Sequence, residues 1–337
     1  MGSTTMKATA LAPANIAFVK YWGKKNTELT LPQNSSISMN LEGIHTITTV
    51  DFSEKYTVDQ IYVTFFNEQE QQLTGKKASR IINQLNRLRE MAQINLPACV
   101  KSINNFPADA GIASSASAFA ALTLAICQAL KLKPSQKQLS ILTRLGGSGS
   151  ATRSIPDGFV EWKKGTSNTT SFATQLAPES HWALYDLILV VSQDAKKVSS
   201  LEGHEATATS PYFSARLAEL SPRLKKIREA ISERNLTLLG SEIEKETLSL
   251  HLVAMTSHPP IWYWESSTLE IIKAVYELRA ADIECYFTID AGPNVHIICN
   301  KENVEKIKTF FMKEAYIDQI FVAKVGKGAR LISEHLF

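Results

Sequence analysis

One segment constrains the fold of this chain more than any other. A run of small residues at 107–117 leads into a stretch that extends to Leu130 and is almost wholly apolar. The stretch predicts a helix, and a helix without a polar face has to be buried inside a protein. The chain must therefore enclose this helix in a sizeable core, which its hydrophobic content of 44% allows.

The order of the other predicted elements indicates an α+β fold with two lobes. Strand patterns dominate the first part of the chain, at Thr46–Phe52, Gln60–Phe66, Val100–Asn104, Gly158–Trp162 and Leu184–Val191, with a helix at Ala78–Met91. Later segments predict helices at Pro211–Ile231, Leu236–Met255, Ser266–Ala280 and Glu302–Glu314, interleaved with strands at Cys285–Thr288, Val295–Cys299 and Ile320–Val325. The predicted lobes span residues 1–190 and 191–337, and a cleft between them is the natural place for a ligand.

Charge and cysteine content narrow the classes of function. The 36 Lys and Arg residues against 33 Asp and Glu leave a net charge of only +3, which argues against nucleic-acid binding. No apolar run reaches the roughly 18 residues of a membrane span, and the N-terminus lacks the apolar core of a secretory signal. The four cysteines have no metal-ligand spacing and read as buried free thiols. We therefore expect a cytoplasmic protein without a nucleic-acid or membrane partner.

The junction that precedes the apolar helix is the first candidate binding site. Small residues let a backbone approach a ligand closely, and a helix start offers unpaired N–H groups and a positive dipole end. These properties suit a phosphate group. A Ser/Ala/Gly turn that merely caps a buried helix is the alternative, and the GxGxxG and GxxxxGK[ST] nucleotide signatures are absent from the sequence.

A second segment rich in glycine and serine spans residues 146–154 and ends with Arg153-Ser154. Its hydroxyl groups and its single guanidinium can bind a carboxylate or a phosphate, because the planar arginine side chain matches both groups. A flexible surface loop is the alternative interpretation of this segment.

Two further segments carry charges in apolar surroundings. Lys20 and Lys24 lie four residues apart among aromatic and apolar residues, where a buried lysine needs an anionic partner. The alternative interpretation is that Lys24 is an exposed residue of a strand. Asp290 follows a predicted buried strand and precedes a Gly-Pro turn, where an aspartate commonly accepts main-chain hydrogen bonds instead of doing chemistry.

Together these segments resemble the mevalonate diphosphate decarboxylase family, which belongs to the superfamily of small-molecule kinases that includes galactokinase, homoserine kinase and mevalonate kinase. The resemblance rests on residues 15–24, 31–38, 113–121, 147–162 and 286–294. Its most specific parts are KYWGK at 20–24, GSGSATRS at 147–154 and DAGPN at 290–294. These elements occur in order over most of the chain. The resemblance implies the two-lobed fold of that superfamily, with a deep cleft between the lobes.

The resemblance also implies a reaction. ATP and mevalonate 5-diphosphate would give isopentenyl diphosphate, carbon dioxide, ADP and phosphate, with Mg²⁺ as the metal and with a role in isoprenoid biosynthesis. A homodimer is expected. A decarboxylase of mevalonate monophosphate and a non-decarboxylating kinase are the nearest alternatives, followed by a ligand-binding relative without catalysis and by an RNA-binding module.

The resemblance assigns roles to individual residues. Asp290 would orient or deprotonate the tertiary hydroxyl of the substrate, and Lys20 would keep Asp290 ionised. Arg153 would bind the substrate carboxylate, with Asn15 orienting the centre. The substrate diphosphate would be bound by Tyr21, Lys24, Ser148, Gly149 and Ser150. The ATP phosphates would be bound by Gly111, Ile112, Ala113, Ser114, Ser115, Ala116 and Ser117, with the hydroxyl of Ser115 as a candidate ligand of Mg²⁺.

Three positions depart from the family pattern. Pro107-Ala108-Asp109-Ala110 stands where a hydroxyl residue and two alanines are usual, Pro156-Asp157 replaces an aromatic residue and a glycine, and Ala195 stands where many members carry a glutamate. The first departure bears on the nucleotide contacts, whereas the other two bear on local geometry. Asp290, Lys20 and Arg153 are all present, which favours a decarboxylase over a kinase that lacks the second step.

Overall fold

The computed structural model describes residues 6–107, 114–191 and 198–337. The elements up to residue 177 alternate short and long strands with three helices. In order they are β1 (Met6–Val19), β2 (Lys24–Asn26), β3 (Leu31–Pro32), β4 (Ser36–Phe52), β5 (Gln60–Thr64), β6 (Gln71–Gln72), α1 (Gly75–Ala92), β7 (Ala98–Asn104), α2 (Ser114–Ala129), α3 (Gln136–Leu145), β8 (Phe159–Trp162) and β9 (Ala173–Ala177).

The later elements include the longest helices. In order they are β10 (Leu184–Val190), α4 (Ser200–Ala206), α5 (Phe213–Glu233), α6 (Leu236–Met255), α7 (Ser266–Ala280), β11 (Cys285–Thr288), β12 (Val295–Asn300), α8 (Val304–Phe311), β13 (Gln319–Lys324) and β14 (Arg330–Ile332). Short 3-10 helices occur at Gly149–Ser154, Thr207–Thr209 and Lys301–Asn303. This mixture of sheets and helices confirms the predicted α+β class.

The larger sheet has eight strands and places the end of β1 at the candidate site. Its main path runs β14-β1-β4-β7-β5-β6, while β8 pairs with both β4 and β9. The antiparallel ladder between β1 and β4 extends from Met6 opposite Phe52 to Val19 opposite Ile37. Ser36, at the start of β4, lies opposite Trp162 at the end of β8. Lys20 therefore leaves the sheet beside residues of two other strands.

The smaller sheet has four antiparallel strands in the order β11-β12-β10-β13. One of its faces packs on apolar residues of α7 and α8, including Ile271 and Ile307. The other face shares a core with α5, α6 and the larger sheet, where Ile298 clusters with Phe18 and Ile243. Strand β10, before residue 190, pairs with β12 of the smaller sheet, and β14, after residue 190, pairs with β1 of the larger sheet. The lobe boundary at residue 190 therefore stays a prediction.

Helix α2 is buried, as its apolar sequence predicts. Most of its side chains are buried, and Ala116, Ala120 and Ala125 have no exposed surface. They pack in one core with residues of β1, α1 and β7. The start of this helix is thereby fixed against the larger sheet.

Strand β4 begins earlier in the chain than the sequence pattern indicates. The predicted strand Thr46–Phe52 is only the second half of β4, which begins at Ser36. Serine, asparagine and glycine are poor strand formers, but β1 and β8 pair with this first half and hold it extended. Strand β1 continues past Pro13 with a register shift before Asn15. Helices α6 and α7 coincide with their predicted ranges, whereas α8 is shorter than predicted.

All four cysteines are free and buried, which confirms the interpretation of their sequence surroundings. Burial also raises the pKa of the Cys127 and Cys285 thiols to about 12. Among the helices of the described ranges, none combines the length and the apolar character that a membrane crossing needs.

Candidate active site

Lys20 and Asp290 form an ion pair where the two sheets meet. Lys20 follows β1 of the larger sheet, and Asp290 follows β11 of the smaller one. The Nζ atom of Lys20 donates to Oδ1 of Asp290 at 2.6 Å, and the two side chains are 2% and 20% exposed. Asp290 is thus the anionic partner that a buried lysine at this position requires.

The charges around Asp290 keep its carboxylate ionised. Burial by itself raises the pKa of this carboxyl, but attraction to Lys20, His296 and Arg153 outweighs the effect of burial and holds the pKa below its usual value. His296 is itself held by a 2.7 Å contact between its Nδ1 atom and Oδ2 of the buried Asp186. An ionised carboxylate at this place can accept a hydrogen bond or a proton from a hydroxyl group of a ligand.

Arg153 is a buried guanidinium whose hydrogen-bond partners are uncharged. Its Nη1 atom donates to Ser36 Oγ at 2.6 Å, and its Nη2 and Nε atoms donate to Asn15 Oδ1 at 3.1 and 3.3 Å. Burial lowers the pKa of Arg153 to about 10, so the group stays charged at neutral pH. A buried cation without a carboxylate partner in the described part of the chain is suited to an anionic ligand.

Asn15 fixes the direction of this guanidinium. The asparagine is 2% exposed, and its Nδ2 atom donates to Ser154 Oγ at 2.9 Å and to the main-chain oxygen of Ser150 at 3.3 Å. Its Oδ1 atom is therefore turned towards Arg153. The structure brings the four predicted catalytic residues together as two pairs, Lys20 with Asp290 and Arg153 with Asn15.

Two of the predicted diphosphate-binding residues, Tyr21 and Gly149, contact the ring of Trp162, and Tyr21 and Trp162 form an aromatic cluster. The ring of Tyr21 meets Trp162 edge-on at 4.7 Å, and its hydroxyl is buried without a hydrogen-bond partner among the described residues. Ser148 Oγ lies 3.3 Å from Ser115 Oγ and 3.4 Å from Ser150 Oγ. These hydroxyls connect the residues 148–150 to the start of α2. Gly149 is needed for packing, because a Cβ atom there would lie 2.5 Å from Trp162.

Lys24 has a cationic neighbour that the sequence did not single out. Lys24 is half-buried, and burial lowers its pKa, with repulsion from Arg80 adding to the shift and attraction to Glu205 opposing it. Arg80 lies on α1, donates to the main-chain oxygen of Gly147 at 3.2 Å and covers the ring of Phe119 at 4.9 Å. Neither cation has a carboxylate within ion-pair distance in the described ranges. The regular helical pattern of α1 gave no signal that Arg80 faces this site.

A cavity of about 190 Å³ lies at the start of α2. Ser114, Ser115 and Phe119 line it from α2, Lys77 and Arg80 line it from α1, and Phe65 adds an apolar wall. Ser115 is exposed there, whereas Ala116 and Ser117 are buried, and the Ser117 hydroxyl contacts Thr46 Oγ1 at 2.7 Å. Gly111, Ile112 and Ala113 lie outside the described residues, as do Asp109 and Ala195.

A buried histidine holds the segment that carries Lys20 and Lys24. His204, which the sequence gave no role, accepts the N–H group of Gly23 on Nδ1 at 3.0 Å, and its ring lies 4.2 Å from that of Tyr21. Burial, followed by repulsion from Lys24, lowers the pKa of His204 to about 3. Gly23 has a φ of +87°, a conformation that a glycine adopts easily. The neutral ring therefore shapes the turn between the two lysines.

Comparisons with known proteins place both halves of the chain in one family. Residues 12–173 match the family model of the diphosphomevalonate decarboxylase-like N-terminal domain. Residues 186–332 match that of the mevalonate 5-diphosphate decarboxylase C-terminal domain. The diphosphomevalonate decarboxylase of Candida albicans is 35% identical, over 98% of this chain and 99% of that protein. The human diphosphomevalonate decarboxylase is 36% identical, over 88% of this chain and 77% of the relative.

Solved structures agree with the sequence matches. Mevalonate diphosphate decarboxylase from Staphylococcus aureus superposes with a TM-score of 0.91 at 37% identity, covering 98% of this chain and 99% of the other. The enzyme from Enterococcus faecalis gives 0.89 at 38% identity with the same coverage. A further structure with a TM-score of 0.89, also 38% identical and covering 98% of this chain and 99% of its own, is a complex with MVAPP, AMPPCP and magnesium.

Proposed function

The chain belongs to the diphosphomevalonate decarboxylase family, and on this basis we propose that it converts ATP and mevalonate 5-diphosphate into isopentenyl diphosphate, carbon dioxide, ADP and phosphate. One observation carries the proposal from the family to this site. The ionised Asp290 is paired with Lys20, and the buried guanidinium of Arg153 lies close enough to lower the pKa of the Asp290 carboxyl further. The site thus combines a proton acceptor and a carboxylate-binding group, which the two halves of the reaction require.

Asp290 and Lys20 serve the phosphorylation step. The tertiary hydroxyl of the substrate is a poor leaving group until it carries a phosphoryl group. Asp290 orients this hydroxyl and accepts its proton as the oxygen attacks the terminal phosphorus of ATP, while the bond to ADP breaks. Lys20 keeps the carboxylate ionised before the transfer.

Arg153 serves the decarboxylation step. The planar guanidinium binds the substrate carboxylate in a fixed direction, and Asn15 and Ser36 fix the guanidinium in turn. Phosphate leaves with the electron pair of the carbon–oxygen bond. The electrons of the carbon–carboxylate bond then form the new double bond, and the carboxylate departs as carbon dioxide.

Further residues bind the phosphate groups. We assign the substrate diphosphate to Tyr21, Lys24, Ser148 and Ser150, with Arg80 as an additional cation beside them. The unpartnered Tyr21 hydroxyl and the two neighbouring cations support this assignment. We place the nucleotide at the cavity beside α2, where Ser114 and Ser115 line the helix start and Phe65 offers apolar surface.

The residues at the start of α2 fit a magnesium ion that is bound mainly by phosphates. Mg²⁺ prefers oxygen ligands and often takes only one or two from the protein. The exposed hydroxyl of Ser115 is such a ligand, and the described ranges contain no group of three or more His, Cys, Asp or Glu side chains that would bind a metal by themselves. When bound, Mg²⁺ neutralises charge on the transferred phosphoryl group.

A homodimer in the cytoplasm stays part of the proposal. Half-exposed apolar side chains support self-association: Tyr212, Leu248 and Leu252 are 47%, 46% and 45% exposed and border a groove of about 690 Å³ along α5 and α6. The mass of the purified protein in solution tests the dimer, and fractionation of the source cells tests the location.

A stoichiometry measurement tests the reaction. The purified protein is incubated with ATP, Mg²⁺ and either mevalonate diphosphate or mevalonate monophosphate, and ADP and carbon dioxide are followed together. We expect one ADP per carbon dioxide and faster turnover with the diphosphate. Release of ADP without carbon dioxide would make the protein a kinase, and faster turnover with the monophosphate would change the substrate.

A further inference from the structure

We propose that Glu246 and Thr247, two adjacent residues of α6, are positioning residues that hold Lys20 and Asp290 at contact distance. The inference rests on the proposed function, since it concerns the ion pair assigned to phosphoryl transfer. Neither residue touches the reacting atoms in that assignment. Each instead holds the backbone on one side of the pair.

On the Lys20 side, side chains replace the strand pairing that ends at Val19. Oε1 of Glu246 accepts the main-chain N–H of Lys20 at 3.0 Å. The main-chain oxygen of Lys20 accepts hydrogen bonds from Nδ2 of Asn34 at 2.9 Å and from Nη2 of Arg216 at 3.3 Å. Buried main-chain groups need partners, so these contacts determine where the Lys20 backbone lies.

Glu246 is itself held in place by two arginines of α5. Arg216 donates to its Oε1 atom at 2.6 Å, and Arg223 donates to its Oε2 atom at 2.8 Å. The Glu246 side chain is fully buried, and those of Arg216 and Arg223 are 1% and 7% exposed. A buried ion cluster is a poor source of stability, because the cost of desolvation offsets the attraction. Its use here is the fixed direction of the Glu246 carboxylate.

On the Asp290 side, the next residue of the same helix holds the end of β11. Thr247 Oγ1 accepts the main-chain N–H of Ile289 at 3.3 Å and lies 3.2 Å from Thr288 Oγ1. The hydroxyl is anchored to its own helix by a 2.9 Å contact with the main-chain oxygen of Ile243. Asp290 directly follows this held segment. One rigid helix therefore sets the positions of both halves of the ion pair.

The pH dependence of Asp290 distinguishes positioning from a simple loss of charge. Asp290 is faced by Lys20, by Arg153 of the 3-10 helix, by His296 of β12 and by His251 of α6. The negative charge of Glu246 repels the ionised form of Asp290, so removing that charge by itself lowers the pKa of Asp290. Displacement of Lys20 acts in the opposite direction and raises that pKa.

The first test compares Glu246→Gln with Glu242→Gln. Glu242 lies on the same helix, is 4% exposed and pairs with Lys226 and Lys245. Its Oε2 atom also lies 3.7 Å from Nε of Arg223, but Glu242 contacts neither Lys20 nor Asp290, and Arg223 contacts Glu246 through a different nitrogen, Nη1, at 2.8 Å. We expect Glu246→Gln to lower kcat by about 10–100-fold, because misplacement by about 1 Å has effects of this size, with KM within about threefold. Glu242→Gln leaves kcat within about twofold. Equal losses of kcat in the two variants would overturn the proposal.

A second pair of variants remains informative if Glu246→Gln does not fold. Thr247→Val keeps the shape of the side chain and removes the hydroxyl, whereas Thr247→Ser keeps the hydroxyl. We expect Val to lower kcat and to move the acid limb of the kcat profile to higher pH, and we expect Ser to restore both. A Val variant that behaves like the wild type, or a Ser variant no better than Val, contradicts the inference.

A titration that needs no turnover separates this inference from the proposed function. The carboxyl signal of Asp290 in the full chain is followed by NMR with carbon-13-labelled aspartate and is identified by its loss in Asp290→Asn. We expect its pKa to be higher in Thr247→Val than in the wild type, because this change moves the backbone before Asp290 without removing a charge, and to return to the wild-type value in Thr247→Ser. An unchanged or lower pKa in Thr247→Val refutes the positioning role. Absence of carbon dioxide release by the wild type refutes the proposed function alone.

Discussion

At the scale of single residues, the ion pair makes Asp290 both a chemical group and a structural one. Its carboxylate compensates the charge of Lys20, which is 2% exposed. Removing one partner of a buried pair leaves the other uncompensated, and this costs about 3–5 kcal/mol in well-buried cases. Because the Asp290 side chain keeps 20% of its surface exposed, a smaller loss of stability is expected here.

We predict that Asp290→Asn lowers kcat by about 10²–10⁴-fold, the usual range for loss of a general base. The variant should fold, because asparagine keeps the size of the side chain and can still accept a hydrogen bond from Lys20. Steady-state kinetics and thermal unfolding of the same preparation check both statements. Asp282→Asn, at an exposed residue with a φ of +60°, is the control, and a rate as high as that of the control would return Asp290 to a turn-forming role.

Two buried histidines predict how stability depends on pH. Burial is the first cause that lowers the pKa of His204 and of His251 to about 3, whereas a histidine in an unfolded chain has a pKa of about 6.5. The unfolded chain therefore binds more protons below about pH 6.5, and stability is lost as the pH falls from there towards about 3. Each histidine contributes a slope of up to about 1.4 kcal/mol per pH unit within this window.

Urea unfolding at several values between pH 7 and pH 5 measures this slope. In His204→Gln an amide oxygen can accept the hydrogen bond from the Gly23 N–H in place of the ring. We expect the slope of the free energy of unfolding against pH to decrease by the contribution of about one bound proton. The difference in the free energy of unfolding between the wild type and the variant should therefore be smaller at pH 5 than at pH 7. Parallel curves for the two proteins would show that His204 is protonated in the folded state.

At the scale of elements, the 3-10 helix Gly149–Ser154 places Arg153 by packing on the ring of Trp162. A Cβ atom on Gly149 would lie 2.5 Å from Trp162 and 2.9 Å from Tyr21. Both rings belong to the buried aromatic cluster and have little room to move. The absence of a side chain at residue 149 is therefore what lets the element approach the cluster.

We predict that Gly149→Ala lowers stability by about 1–3 kcal/mol, the usual cost of overpacking, and raises KM for the phosphorylated substrate. The matched control is Gly43→Ala, where no atom lies within 4 Å of the added Cβ atom and only a φ of +85° opposes the substitution. The control should therefore leave KM unchanged. Equal KM values in the two variants would separate Gly149 from the substrate site.

At the scale of the whole molecule, the end of the chain returns to the first sheet. Strand β14 pairs with β1 through Ala10 opposite Leu331, and the residues that follow make further contacts. Thr9 Oγ1 lies 2.6 Å from Nδ1 of His335, and the N–H of Leu336 donates to Thr49 Oγ1 at 3.0 Å. The larger sheet thus contains the first and the last described strands.

We predict that a chain that stops at Gly328 unfolds at a lower temperature than the full chain, because β1 loses a neighbouring strand and becomes an edge. The Lys20–Asp290 pair lies at the far end of β1, so kcat at low temperature should stay within about threefold, well under the tenfold that corresponds to about 1.4 kcal/mol. Calorimetry and kinetics on both chains provide the comparison. An unchanged melting temperature would mean that β14 contributes nothing to the larger sheet.

The sequence by itself determined the features that depend on local pattern. The apolar run before Leu130 required a buried helix, and helices α6 and α7 appear over the residues that their periodicity predicts. The segments around Lys20, Arg153 and Asp290 carried enough local chemistry to point to the family and to the candidate site. Their roles in the reaction stay proposals that the experiments above test.

Only the tertiary structure decided which of these groups meet. Lys20 and Asp290 are 270 residues apart, and the contact between Lys20 and Glu246 spans 226 residues. Strand β4 extends back to Ser36 only because β1 and β8 pair with it, and Arg80 reaches the site only because α1 packs against α2. Such contacts depend on how whole sheets and helices pack, and the physical reason they escape a local pattern is that burial and pairing energies act between residues far apart in the chain.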